Sequence, residues 1–243
     1  MLAGALALLP SQCEICRGWD SGLVCRACRE RHAPLKPRCL RCGLVLGTTA
    51  ASCGECQRDP PPYRQTVCAL DYGFPWDRLI SAFKFQRRVE LAKPLAALLD
   101  EAIGREASRD AGPGPAPPGL VVPVPLSAAR LAERGFNQAW ELARRVARRR
   151  GLPSAPDALL RVLDRAAQAT LTSEERRRNL RNAFAPASPG RSGHAAPLAG
   201  LDVALVDDVM TTGATAREAA AALLRGGASS VRLWVLARTP APA

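Results

Sequence analysis

Hydrophobic and polar positions along this chain follow two periods, and each change of period marks an element. Val203-Ala204-Leu205-Val206 is an unbroken apolar run, as expected of a buried strand, and it closes on Asp207 and Asp208. A turn rich in hydroxyls and glycine follows, then Ala216–Leu224, a stretch of high helix propensity running into Gly226-Gly227. Val231–Leu236 returns as a further core strand. Upstream, Leu120–Leu126 predicts a strand confined by its prolines. Gln138–Arg150 predicts a helix that presents Leu142 and Val146 to a core, capped by Asn137 and stopped at Gly151. Trp76, Ile80 and Phe83 predict one helix, and Leu91 to Ile103 another with Leu91, Leu95, Leu98 and Leu99 on one side. The run from Tyr63 predicts a strand ending in a turn at Tyr72–Pro75, while Gly104–Gly119 and Ala185–Gly200 read as connecting loops, the second with an exposed His194. Strand, helix, strand with right-handed crossovers predicts an α/β protein: a doubly wound parallel sheet with its ligand at the carboxyl ends of the strands.

The N-terminal stretch follows neither period. Eight cysteines form four Cys-x-x-Cys pairs, Cys13/Cys16, Cys25/Cys28, Cys39/Cys42 and Cys53/Cys56, with eight, ten and ten residues between successive pairs. Such turns each present two soft ligands to one ion, so two sets of four thiolates predict two structural zinc ions. Spacing leaves sequential and interleaved pairing open; the sequential arrangement is the expectation. Too few apolar residues lie between the pairs for a core, so metal ligation supplies most of the folding free energy here. Pro60-Pro61-Pro62 is a stiff boundary, which divides the chain into a ribbon segment, 1–62, and a body, 63–243. Cys68 stands alone in an apolar run and reads as a small buried side chain.

Composition changes this picture in two places. The net charge is +12, and residues 121–200 alone carry +8. A basic surface suits polyanions, whether pyrophosphate, nucleotide or nucleic acid, and arginines among the ribbons beside Trp19 suit single-stranded nucleic acid. An abundance of arginine over lysine is also what a coding bias produces. Arg144, Arg145, Arg148, Arg149 and Arg150 read as a solvated face, and Arg176-Arg177-Arg178 with Arg181 as either a structural cap or an anion clamp. Met1–Pro10 is apolar but lacks the basic leader of a signal peptide, and no stretch is long enough to span a bilayer, so the cytoplasm is the expected compartment.

The chemistry concentrates at Asp207–Thr215. Backbone N–H groups at a helix N-terminus lack partners and favour an anion, Thr211, Thr212 and Thr215 add hydroxyl donors, and Gly213 lets backbone close around a phosphate. Asp207 and Asp208 can accept hydrogen bonds from a vicinal diol or hold a magnesium-bound water. Ribose 5-phosphate offers both a phosphate and a diol. Single acidic caps before helices are common, but the whole string is not.

Asp207–Thr215 resembles the phosphoribosyl pyrophosphate (PRPP) loop of type I phosphoribosyltransferases, and Arg134-Gly135-Phe136-Asn137-Gln138 is similar to a signature of the ComF/GntX family, which the whole chain resembles. The resemblance implies a type I phosphoribosyltransferase-like sheet with an N-terminal double zinc ribbon. It implies that Asp207 and Asp208 face the ribose hydroxyls while Thr211, Thr212, Gly213, Ala214 and Thr215 wrap the 5′-phosphate of PRPP, bound with Mg2+. A weaker anion loop would comprise Pro125, Leu126, Arg130, Arg134 and Arg176, with Arg130 and Arg134 on the loop before the helix at Gln138. Residues 161–184, through Arg165, Gln168, Leu171, Arg176, Asn179 and Phe184, would supply a hood over the reacting centre. Lys84 is a weak site candidate, its blander reading being a solvated lysine beside a packed Phe85. Family relatives that use 6-oxopurines carry an acidic base where this chain has Thr211, which disfavours purine salvage. The resemblance implies a role in DNA uptake, as competence or use of DNA as nutrient, with single-stranded DNA and other uptake proteins as partners. Two classes stay open: a phosphoribosyltransferase of unknown acceptor, or a non-catalytic module that binds single-stranded DNA or senses PRPP.

Overall fold

The computed structural model describes residues 10–48, 50–108, 116–162, 183–187 and 198–241. Arg165, Gln168, Leu171, Arg176 to Arg178, Asn179, Arg181 and His194 lie outside the described residues, as do nine of the ten in Met1–Pro10. The chain begins with two short strands, β1 (Ser11–Gln12) and β2 (Trp19–Asp20), and two short helices, α1 (Arg26–His32) and α2 (Gly54–Arg58). The body follows: β3 (Gln65–Asp71), α3 (Trp76–Phe85), α4 (Ala92–Ala107), β4 (Leu120–Pro123), α5 (Ala128–Arg134) and α6 (Gln138–Arg150). Then come β5 (Leu159–Arg161), β6 (Phe184–Pro186), β7 (Asp202–Met210), α7 (Ala214–Arg225) and β8 (Ser230–Arg238). Strands β3, β8, β7 and β4 form one sheet in that order, every pair parallel.

Helices cover both faces, as a parallel sheet requires. Side chains alternate along β7, so Ala204 and Val206 face α3, α4 and α6, while Val203 and Leu205 face α7 and the β5–β6 pair. Trp76, Ile80, Phe83, Leu95 and Leu99 fill the first layer, Ala219, Ala220 and Leu223 the second. The expected fold class is therefore in place, a doubly wound parallel sheet.

Four local expectations need correction. The strand at Leu120 ends at Pro123, because Pro125 and the capped helix after it turn the chain away. Helix α4 runs past Gly104 to Ala107; the missing Cβ leaves room for the Arg150 guanidinium, which donates to the Asp100 carbonyl at 2.6 Å. Arg130 and Arg134 are not on a loop but on α5, capped by Ser127 Oγ accepting from Arg130 N–H at 3.3 Å and ended by Gly135 at φ 80°. That helix buries no residue, so caps rather than an apolar stripe define it and hydrophobic periodicity could not find it. Strand β7 also continues through the acidic pair to Met210, and α7 starts at Ala214, so Ala214 and Thr215 lie in its first turn.

The ribbons pack on the body. Cys13, Val24, Cys25 and Cys28 share one buried cluster with Trp76 and Phe83, and Trp76 Nε1–H donates to the His32 carbonyl at 2.7 Å. Leu40 and Arg41 lie along the free edge of β3: Thr66 N–H donates to the Leu40 carbonyl at 2.7 Å and its hydroxyl to the Arg41 carbonyl at 2.5 Å. Among the described residues, no helix is long and apolar enough to cross a membrane.

Asn137 holds two elements at once. Its Oδ1 accepts from Ala139 and Trp140 N–H at 2.9 and 3.3 Å, and its Nδ2 donates to the Val124 carbonyl at 3.1 Å. Asn137→Ala should lower the unfolding free energy by about 1–2 kcal/mol in urea titrations. Asn137→Ser, which keeps the cap but not the bond to Val124, should recover roughly half of that loss.

Candidate functional site

The site gathers at the carboxyl ends of adjacent parallel strands. Val124 N–H donates to the Val206 carbonyl at 2.8 Å, so the loop through Pro125 and Leu126 leaves the sheet beside Asp207. The two-residue pleat sends Asp207 and Asp208 to opposite faces. Asp208 therefore meets the layer of α3, and Lys84 Nζ lies 3.0 Å from its Oδ1, with side-chain exposures of 15% and 11%. The expectation for α3 is inverted: Lys84 is paired and Phe85 is 60% exposed.

Asp207 is half-buried, and its Oδ1 accepts from Asp208 N–H at 2.8 Å. Desolvation, then the Asp208 charge, push its carboxyl up to about 7, against the pull of Lys84 and Arg134. A folded-state value above the unfolded one means that stability is lost as pH rises from about 4 to about 7. Asp207→Asn should remove that loss, so the variant gains on the wild type across this window and is the more stable at pH 8; thermal melts from pH 5.5 to 8 check it. An unchanged difference between variant and wild type would contradict the shift.

Arg134 belongs to the same field. Its Nη1 donates to Gln138 Oε1 at 2.9 Å, its guanidinium lies over the Phe85 ring at 5.1 Å, and its Nε is buried with no partner among the described residues. A buried N–H left open beside two carboxylates suits an anion that brings its own cation. Arg130 is exposed and has no comparable link to the acidic pair.

Beyond β7, Thr211 and Thr212 are exposed, Gly213 sits at φ 80°, and α7 has no side-chain N-cap bond. Ala214 N–H donates to Thr212 Oγ1 at 3.4 Å, and the Thr215 and Ala216 N–H groups that follow it in the first turn are the ones a ligand can take. A Cβ at Gly213 would lie 3.5 Å from Met210 Sδ and 3.6 Å from Tyr63 Oη, and at that φ it would also strain the backbone. Tyr63 is 1% exposed, and burial raises its phenol well above the usual range. Tyr63 and Arg238, which donates to the Met210 carbonyl at 3.3 Å, escape a reading of the sequence because both lie far along the chain from the loop they support. Lys84 is visible only through family resemblance, since its spacing matches that of a surface lysine.

The eight cysteines form two groups, Cys13, Cys16, Cys25, Cys28 and Cys39, Cys42, Cys53, Cys56, with the sulfurs of each within 4.8 Å of one another. Pairing is therefore sequential. All are free thiols, and Cys16–Cys25 and Cys42–Cys53 sulfurs are each 3.7 Å apart. A tetrahedron with zinc–sulfur bonds of about 2.3 Å has edges of about 3.8 Å, so the donor set and its spacing fit zinc. The two groups repeat one design: Cys13 Sγ accepts from Cys25 N–H at 3.4 Å as Cys39 Sγ accepts from Cys53 N–H at 3.3 Å. Arg17 at φ 63° and Gly43 at φ 70° close the matching turns. Purified protein should carry two zinc ions per chain by elemental analysis, and Cys16→Ser, at the exposed ligand of the first group, should reduce that to one.

No protein-family model matches the chain. Among curated proteins, the DNA utilization protein YhgH of Salmonella typhi is 38% identical over 239 residues, 95% of this chain and 98% of that protein. Competence protein F of Haemophilus influenzae is 35% identical over 93% of this chain and 96% of its own length, and competence protein ComFC of Bacillus subtilis 27% over 89% and 84%. Among solved structures, a glutamine PRPP amidotransferase from B. subtilis, complexed with ADP and GMP, aligns with a TM-score of 0.36 at 18% identity, over 60% of this chain and 26% of that one. That last likeness carries no argument.

Proposed function

We propose, because this chain belongs to the ComF/GntX family, that of the DNA utilization protein YhgH and competence protein F, that it binds PRPP with magnesium at the end of β7 and acts in the uptake or use of DNA. One observation carries the reading: an acidic doublet and a helix N-terminus entered through a left-handed glycine, which has no side chain to cap it, meet at a single strand end. The ribose diol donates to the Asp207 and Asp208 carboxylates, while the 5′-phosphate accepts from the Thr211, Thr212 and Thr215 hydroxyls and from the first amides of α7. Arg134, with the loop at Pro125 and Leu126, faces the diphosphate; Arg130 and Arg176 belong to the same anion surface. Magnesium, when bound, neutralises diphosphate charge, and Asp207 and Asp208 are the residues that hold its waters.

In pentosyl transfer the bond from the anomeric carbon to pyrophosphate breaks as an acceptor nucleophile forms its own bond there, and Arg134 stabilises the charge on the departing oxygens. Thr211 is exposed and cannot accept a proton at neutral pH, so the acceptor is not a 6-oxopurine that needs an acidic base at that position. Residues 1–62 act as the ribbon unit and 63–243 as the transferase-like unit, in the cytoplasm. A second reading, a non-catalytic module for single-stranded DNA, draws on Trp19, which is 71% exposed on the first ribbon beside Arg17.

Calorimetric titration with magnesium and PRPP tests the site. The double variant Asp207→Asn, Asp208→Asn should bind about a hundredfold more weakly, with zinc content unchanged, since two charge-assisted acceptors are lost. Equal affinity in the variant would falsify the assignment. Pyrophosphate release from PRPP, screened against nucleobases and single-stranded DNA, separates the two readings: turnover with any acceptor selects the enzyme, and none selects the module.

A further inference from the structure

Arg238, the last residue of β8, is 9% exposed, and its guanidinium meets only neutral acceptors. Nε donates to the Cys42 carbonyl at 3.2 Å. Nη1 shares its two hydrogens among the carbonyls of Met210 at 3.3 Å, of Thr211, and of Thr239 at 2.8 Å, and the Thr239 hydroxyl at 3.1 Å. Each of the oxygens it meets is an uncharged carbonyl or hydroxyl. One side chain thus ties a cysteine of the second four-thiolate group to the two residues that lead into the phosphate loop.

The direction of those bonds matters. In a trans peptide the carbonyl and the following N–H point opposite ways. Drawing the Met210 and Thr211 carbonyls onto Arg238 turns the N–H groups of Thr211 and Thr212 away from it. The same knuckle braces the loop by packing. Met210 is 2% exposed, and its side chain lies between Gly43, next to Cys42, and Gly213: a Cβ on Gly43 would be 3.9 Å from Met210 Cε, and one on Gly213 3.5 Å from Met210 Sδ. From the first turn of α7, Arg217 reaches back to the Asp59 carbonyl at 2.6 Å and the Pro60 carbonyl at 3.4 Å, just after the last cysteine of that group.

We propose that the second cysteine cluster, Cys39, Cys42, Cys53 and Cys56, is a working part of the phosphate loop, and that Arg238 is the positioning residue that transmits its order to the amides of Thr211 and Thr212. The inference rests on reading Thr211–Thr215 as a phosphate site, and it makes zinc at this cluster and phosphate at the loop bind cooperatively. By reciprocity, a phosphate ligand slows zinc loss from the second cluster.

The test uses the full chain loaded with zinc and ribose 5-phosphate as probe. Arg238→Ala should weaken binding about tenfold, Arg238→Lys should fall between the two, and Arg29→Ala, which removes the link from α1 to Glu101, should leave binding unchanged. Amide hydrogen exchange supplies a readout that needs no ligand. The N–H groups of Thr239 and Arg217, bonded to the Met210 and Gly213 carbonyls at 3.1 and 2.9 Å, should exchange faster in Arg238→Ala and in Cys56→Ser while the core of β7 stays protected. Wild-type exchange at those two amides in a folded Arg238→Ala protein overturns the proposal, whatever the ligand does. If Cys56→Ser fails to fold, the arginine variants decide. Should the wild type bind no ribose 5-phosphate, the proposed function fails, and exchange alone still decides whether Arg238 orders the loop.

Discussion

Consecutive carboxylates at the end of a buried strand are the constraint around which this body is arranged. Two like charges on adjacent residues cannot both ionise cheaply in a site of low dielectric. The pleat relieves part of the conflict by aiming them at opposite faces of the sheet, and Lys84 relieves more by standing 3.0 Å from Asp208. Asp207 is left to a proton, with its carboxyl near 7. At this strand end one carboxylate is thus engaged by a cation and the other is held back from ionising. Arg134, with a buried Nε left open, adds its charge to the same field.

A second constraint concerns the edge of the sheet. A parallel sheet is buried on both faces, yet β3 is a terminal strand whose outer backbone groups need covering. The ribbons do this: Leu40 and Arg41 pair with Thr66, and Lys36 and Arg38 both bridge to Asp71 at 2.5 and 2.7 Å. Zinc ligation lets so short a segment be rigid without a core of its own. Cys13, Val24, Cys25 and Cys28 in turn lean on the core of the body. Cysteine cluster and core are thus joined structurally in both ribbons, and in the second the junction reaches Met210 and Thr211 through Arg238.

Much of this was legible in the chain because its causes are local. The Cys-x-x-Cys pairs, the apolar run before Asp207, the Asn137 cap and the Gly151 stop each carry their signal within a few residues, and each element is where that signal puts it, except that β7 runs on through the acidic pair to Met210. Helix α5 was not legible because it buries nothing; a serine and a glycine at its ends define it. The run of α4 beyond Gly104 depends on an arginine some fifty residues away in α6. Tyr63 and Arg238 were hidden for the same reason, and Lys84 was a candidate only through the family resemblance, since contact across the fold leaves no period in the sequence.

The distribution of charge deserves the same scrutiny, because a surplus of +8 in residues 121–200 invites a nucleic-acid reading. On α6 much of that charge is already spoken for within the protein. Arg144 and Arg145 both bind Glu141, whose carboxyl they pull below its usual range against the opposing effect of burial, while Arg149 and Arg150 reach Asp100 on α4. The Glu141 pairs lie within α6 and the Asp100 pairs fasten it to α4, so two carboxylates offset part of the charge of the five arginines on this helix. The arginine that does face an acidic, ligand-ready centre is Arg134, one turn before the Asn137 cap. What distinguishes it is position: its charge acts on Asp207 at the strand ends, whereas the arginines of α6 act on Glu141 and Asp100.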